Sequence, residues 1–260
     1  MLYVRRDANR FRVYNANRFR VYKAQHLALS SVANVPLILH QTYLRFPPPH
    51  VIERLKQFAP EFEYRFYDDA AARKFLQEHF SPAVVQCFDT LKQGAHKADL
   101  LRYCLLYIHG GVYIDIKSQL IQPLRDMIYA NTVTTSLSWV SGVYQGFIAA
   151  PPRQEIFLHL IQDIVHNPNP AVFHHYCFEF LRYIRDDIGS PSWKGVPEGF
   201  HVGSRHNYML FTEIFTSSAG DCEDGLDQYG ICAYLYSKGL RVLKVRDANF
   251  PYLPTFESNG

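Results

Sequence analysis

Three ionisable residues stand at spacings that suit ligand chemistry. Asp99 and Arg102 lie three apart within Ala95 to Ile108, a segment in which Ala98, Leu101, Leu105 and Ile108 recur at steps of three and four. On a helix this spacing projects the acid and the base from neighbouring positions of one face, with Tyr103 one step further. A helix that otherwise buries Leu and Ala here presents an acid and a base together. The blander alternative is a solvent-facing salt bridge, which stabilises little. Asp115 is the third residue: Val112 to Ile116 reads as a strand that delivers it at or near the carboxyl end, where open α/β sheets bind ligands.

The elements around these residues read as follows. Val35 to Leu39 is a short apolar strand that meets His40, Gln41 and Thr42 as though reaching a polar loop. Phe62, Tyr64 and Phe66 alternate with Glu63 and Arg65 as a second strand. Helical patterns cover 50–58, 69–79, 82–92, 95–108, 153–166, 173–186 and 206–216, and strands are expected at 132–138, 144–150 and 240–246. Gly110-Gly111 stops the Asp99 helix as a C-cap would. Strands and helices intermix, so the fold class is α/β rather than a bundle or a sandwich.

Composition narrows the function classes. A chain of 260 residues with 48% hydrophobic residues buries a large core without staples. Its net charge of +3 argues against a dedicated nucleic-acid binder. The charge is uneven: seven Arg or Lys face only Asp7 in the first 23 residues, which carry +6, leaving the rest at −3. Ala8 to Tyr14 recurs as Ala16 to Tyr22, and its strand-like alternation suggests a hairpin or an unfolded arm over 1–23 ahead of a single domain over 24–260. Weak contact with an anionic surface is one use for that arm; a solvated edge is the plainer one. Five cysteines, an odd number without CxxC spacing, suggest neither a disulfide framework nor a zinc site. With no apolar run of membrane-spanning length and no signal-peptide pattern, a soluble cytoplasmic protein is expected.

Other clusters are weaker. His174-His175 are adjacent, so on a helix they face apart and do not make a two-His metal site. Asp221, Glu223, Asp224 and Asp227 form an acidic loop without calcium-loop spacing, read as solvated.

The run Lys97-Ala98-Asp99-Leu100-Leu101-Arg102-Tyr103, followed by Gly110-Gly111-Val112-Tyr113-Ile114-Asp115, resembles glycosyltransferases with a DXD sugar-binding region. More narrowly it resembles glycosyltransferase family thirty-two, the group of the yeast initiating mannosyltransferase, whose sugar site is shared with clostridial glucosylating toxins. Val35-Pro36-Leu37-Ile38-Leu39-His40-Gln41-Thr42-Tyr43 is similar to that family's opening strand, and the two motifs occur in order. The resemblance is strong over 35–124, weaker at Tyr144 to Pro151 and faint beyond 200.

The resemblance implies a GT-A fold, a Rossmann-like mixed sheet binding a UDP- or GDP-hexose, and transfer of the hexose to a saccharide or other hydroxyl acceptor with retention of configuration. It places Tyr43 on the nucleobase, with Gln41 and Thr42 beside it, and Asp99 and Arg102 on the donor sugar. Asp115 matches the first DXD carboxylate, facing ribose, sugar and metal. The second carboxylate position is Lys117, which has no lone pair for the Mn²⁺ or Mg²⁺ that the family implies. Three readings stay open: Lys117 replaces the metal against the departing diphosphate, another oxygen ligand holds the metal, or the pocket is a non-catalytic nucleotide-sugar or glycan binder. His201 falls near the family's late loop, where imidazole could meet metal or phosphate; an ordinary structural role is the alternative. Tyr144 to Phe147 is a candidate acceptor wall.

Overall fold

A computed structural model describes residues 2–7, 10–15, 35–139, 141–190, 196–222, 226 and 232–245. Near the N-terminus, β1 (Leu2–Asp7) pairs antiparallel with β2 (Arg10–Asn15). The pairing therefore joins residues 2–7 to the first repeat copy, and the second copy lies outside the described residues.

The body is one ten-stranded mixed sheet flanked by helices. In chain order the elements are β3 (Ile38–Thr42), α1 (Pro49–Phe58), β4 (Glu63–Tyr67), α2 (Asp69–His79), α3 (Pro82–Thr90), α4 (Gly94–His109), β5 (Gly111–Ile114), β6 (Gln119–Leu120), β7 (Thr132–Leu137), β8 (Val143–Ala150), α5 (Glu155–His166), α6 (His175–Asp187), β9 (Gly199–Val202), β10 (Asn207–Thr216), β11 (Cys232–Ser237) and β12 (Leu240–Lys244). The spatial order is β4-β3-β5-β8-β7-β10-β11-β12-β6, with β9 on β10. β4, β3 and β5 run parallel, as consecutive strands joined by helices do, and β8 enters antiparallel between β5 and β7. The expected α/β class with a mixed central sheet is what the chain forms.

Each central strand is buried on both faces, and successive side chains enter different cores. Tyr113, Ile148, Ala150, Tyr208 and Leu210 pack with α2 to α6, while Val112, Ile114, Phe147, Ala149, Met209 and Phe211 pack with α1 on the other face. This explains one misreading. Residues 206–216, expected as a helix, form β10, because a strand covered on both faces shows no polar alternation.

Two further expectations change. The opening strand runs to Thr42, so His40 and Gln41 are interior strand residues, fully buried, rather than loop residues. Cys222 and Cys232 form a disulfide, leaving Cys87, Cys104 and Cys177 as free thiols. An odd total hides one pair whose partners sit ten residues apart, so the expectation of no disulfide is corrected. No helix of the described residues is long and apolar enough to cross a membrane.

Two glycines set the geometry that matters most. Gly110 caps α4 at φ +63, and Gly111 has φ +90 with room for no side chain, since an added Cβ would lie 2.5 Å from the Ile38 carbonyl oxygen. The Gly-Gly turn lets β5 leave α4 and lie directly against β3.

Candidate functional site

α4 and β5, joined by this tight turn, bring the three ionisable residues of the sequence reading together. Asp99 and Arg102 are not on the surface: both are buried, which excludes the solvated salt bridge. Arg102 is the hub. Its Nη2 lies 3.3 Å from Asp99 Oδ1 and 3.7 Å from Asp115 Oδ1. Its Nε donates to the Ala98 carbonyl at 3.0 Å, its Nη1 to the Gln145 carbonyl, and its guanidinium covers the Tyr113 ring at 4.4 Å. A rigid fork with five donors is thereby locked in one orientation.

Asp115 follows the last residue of β5, with its backbone N–H bonded to the Gly146 carbonyl at 2.9 Å. The Tyr113 hydroxyl donates to Asp115 Oδ1 at 3.0 Å. One carboxylate oxygen is thus anchored while the side chain keeps 22% exposure, enough to meet a ligand. Asp99 differs: among the described residues its carboxylate takes no hydrogen bond and meets only Arg102 as an ion partner. Burial pushes its carboxyl up to about 6, with Arg102 and His96 pulling the other way and Asp115 adding to the rise.

The segment after Asp115 is tied down as well. Ser118 Oγ donates to the Val245 carbonyl at 3.1 Å and shares a hydrogen bond with the Tyr144 hydroxyl at 3.0 Å. Ile116 packs in a small cluster with Val51, Tyr43 and Phe66, so Tyr43 stands beside the Asp115-Ile116-Lys117 turn, and Lys117 is half-buried. The expected nucleobase residue thus packs against the cluster that includes Ile116, the residue after Asp115.

The other expected ligand residues fare differently. Gln41 is buried, its Oε1 accepting from the Tyr64 hydroxyl at 3.1 Å, and Thr42 Oγ1 donates to the Tyr67 carbonyl at 2.8 Å. Both side chains serve the β3–β4 packing. His201 lies on β9 opposite Tyr208, which is in register with Val133, whereas the Asp115 end of the sheet lies at Ser136 and Tyr144. Its Nε2 contacts the Pro197 carbonyl at 2.9 Å. The antiparallel turn into β10 thus carries His201 to the other end of the strands and away from Asp115. Glu223, Asp224 and Asp227 of the acidic loop lie outside the described residues.

The donor set argues against a divalent ion of the DXD type. Such an ion is held by one or two carboxylates together with substrate phosphates and waters. Here one Asp115 oxygen is bonded to Tyr113, Asp99 faces Arg102, and Lys117 offers an ammonium. Among the described residues no group of three or more His, Cys, Asp or Glu converges on a metal position.

Two contributors have roles that the sequence reading did not assign. Tyr113 carried a signal, since it stands two residues before Asp115 on a strand and so shares its face. Gln145 was read only as part of the candidate acceptor wall: its carbonyl holds Arg102 and its Oε1 accepts from the Tyr103 hydroxyl, contacts made across more than forty residues of chain.

Comparison with known proteins follows the same residues. Residues 49–134, about a third of the chain, match the model of the glycosyltransferase sugar-binding region containing a DXD motif. An uncharacterized glycosyltransferase of Acanthamoeba polyphaga mimivirus is 25% identical over 53% of this chain and 58% of its own length. Inositol phosphoceramide mannosyltransferase 2 of Schizosaccharomyces pombe is 28% identical over 51% of this chain and 39% of its own. The initiation-specific alpha-1,6-mannosyltransferase of Saccharomyces cerevisiae is 33% identical over 33% of this chain and 17% of its own. The chain thus spans about half or less of the length of these relatives.

Proposed function

We propose that the chain is a nucleotide-sugar-dependent hexosyltransferase of the GT-A type, with a mannosyl donor the first to test because two of the relatives are named mannosyltransferases. The observation that supports it best is the buried Arg102 held between Asp99 and Asp115 where β5 ends. In this reading Asp99 and Arg102 bind donor hydroxyls, since acceptor-only and donor-only groups select one sugar orientation. Asp115 presents its free oxygen to the ribose or sugar, and Tyr43 offers its ring to the nucleobase.

Chemistry follows from where charge develops. As the glycosidic bond breaks, its electrons move onto the diphosphate, and the Lys117 ammonium on the turn after Asp115 stabilises that growing charge. The acceptor hydroxyl forms the new bond to the anomeric carbon and gives its proton to a leaving phosphate oxygen. Attack on the leaving-group face retains configuration without a protein nucleophile.

The test is release of free nucleoside diphosphate from UDP- and GDP-hexoses, with simple saccharides present, in Mn²⁺ and in EDTA, for wild type and Asp115→Ala. Donor-selective release that persists in EDTA and falls by roughly a hundredfold or more in the variant is expected. Donor binding without release from any donor would replace this reading with that of a binding protein.

A further inference from the structure

We propose that Trp139 forms an acceptor subsite, a platform on which a pyranose ring of an oligosaccharide acceptor stacks; this rests on the transferase reading. Trp139 lies between β7 and β8 and is 68% exposed, more than any other described aromatic residue. It stands edge-on to Phe215 at 5.3 Å. Its backbone is held from below: Glu213, itself buried, accepts at Oε2 from the Ser138 hydroxyl at 2.6 Å and from the Trp139 N–H at 3.4 Å. The turn is closed by Ser138 N–H to the Gly142 carbonyl at 2.8 Å and Ser141 N–H to the Ser138 carbonyl at 3.2 Å. A buried carboxylate that helps to fix a turn displaying a tryptophan is preorganisation of an exposed ring.

The position specifies the partner. Asp115 N–H bonds to the Gly146 carbonyl, and from there β8 runs on beside β7, with Tyr144 opposite Ser136 and Val143 opposite Leu137, to Gly142. The hairpin therefore stands beyond Asp115 by about four residues, roughly 13 Å at the rise of a strand, a reach that suits an acceptor of more than one ring. The hairpin is also coupled to the donor side. An added Cβ on Gly142 would lie 2.9 Å from the Cys177 backbone, Cys177 Sγ is 3.8 Å from Gln145 Nε2, and the Gln145 carbonyl holds Arg102. A pyranose has an apolar C–H face, which matches an exposed indole ring.

The experiment uses Trp193→Phe, which leaves Trp139 as the chain's sole tryptophan, and follows its emission. The probes are α-linked mannobiose and mannotriose, maltotriose and cellotriose, with phosphatidylinositol vesicles in a separate arm. At least one oligosaccharide should shift the emission saturably. Adding Glu213→Ala, which unpins the turn, should weaken the midpoint by roughly threefold or more, and Glu213→Gln, which keeps an acceptor oxygen, should recover most of it. No response to any oligosaccharide, or a response to vesicles alone, would overturn the subsite. Because the readout needs no donor, a response in a protein that releases no nucleotide keeps the subsite and removes only the transferase reading.

Discussion

Two buried aspartates in this molecule are treated in opposite ways. Asp187, at the end of α6, accepts from the Ser204 hydroxyl at 2.6 Å, the Tyr208 hydroxyl at 2.8 Å and the backbone N–H groups of Arg205 and His206 at 2.9 and 3.0 Å. Burial works against its charge, but these donors outweigh it and hold its carboxyl down at about 2. Asp99 is as buried and takes no such bonds among the described residues, and its carboxyl rises to about 6. A structural acid has its lone pairs filled by the fold, whereas in the reading proposed above the lone pairs of Asp99 are filled by donor hydroxyls. In that reading the raised carboxyl costs the fold stability at neutral pH, the usual cost of a preorganised binding group.

The largest expected effect falls on the satisfied acid. Asp187→Ala strands two hydroxyls and two backbone N–H groups in a buried place, at about 3 to 5 kcal/mol, and should lower the melting temperature by roughly 10 °C. Thermal unfolding checks it, and a shift within experimental scatter would break the comparison.

The next effect concerns acid stability. His40 is buried and held neutral, chiefly by burial, with its pKa lowered to about 3, so the folded state binds fewer protons there than the unfolded chain below pH 6.5. Stability from this group is complete above pH 6.5 and is lost as pH falls toward 3, at roughly 1.4 kcal/mol per pH unit while His40 alone responds. Asp99 has the opposite sign: its raised pKa favours the folded state increasingly as pH falls through 6 toward the unfolded value near 4. Asp99→Asn should therefore steepen the acid loss of unfolding free energy, measured by urea titration at several pH values. An unchanged slope would mean that Asp99 is not under-bonded.

Smaller effects test the neighbouring charges. If Lys117 meets the diphosphate directly, Lys117→Asp should lower turnover in EDTA by roughly tenfold or more and make it respond to Mn²⁺. The same metal response in wild type and variant would contradict that role. Tyr113→Phe removes the hydrogen bond that anchors Asp115 Oδ1 and should weaken donor affinity by about three- to tenfold, read by calorimetry, with little change in melting temperature.

How much of this was legible in the sequence follows from how local each cause is. The Asp99–Arg102 pair, the Gly110-Gly111 stop and Asp115 at a strand end depend on neighbours within a few residues, and periodicity exposed them. β10 was misread because Tyr208 to Phe211 are all apolar and all buried, a pattern that helix and two-faced strand share. The interior place of His40 and Gln41 was hidden by their polarity, which suggests a loop until Gly110 and Tyr64 are seen to supply their partners. Gln145, the Glu213 support of the hairpin and the Cys222–Cys232 bond depend on which distant segments the topology joins, and no spacing rule carries that information.

The most direct measurement is calorimetric titration, near neutral pH, of the donor that nucleotide release selects into wild type, Asp99→Asn and Asp187→Asn, with the melting temperature of each recorded beside it. In the reading proposed above, Asp99→Asn loses roughly tenfold or more in affinity while its melting temperature holds or rises, and Asp187→Asn loses stability while binding the donor as wild type does. An Asp99→Asn protein with wild-type affinity and a lowered melting temperature would contradict it.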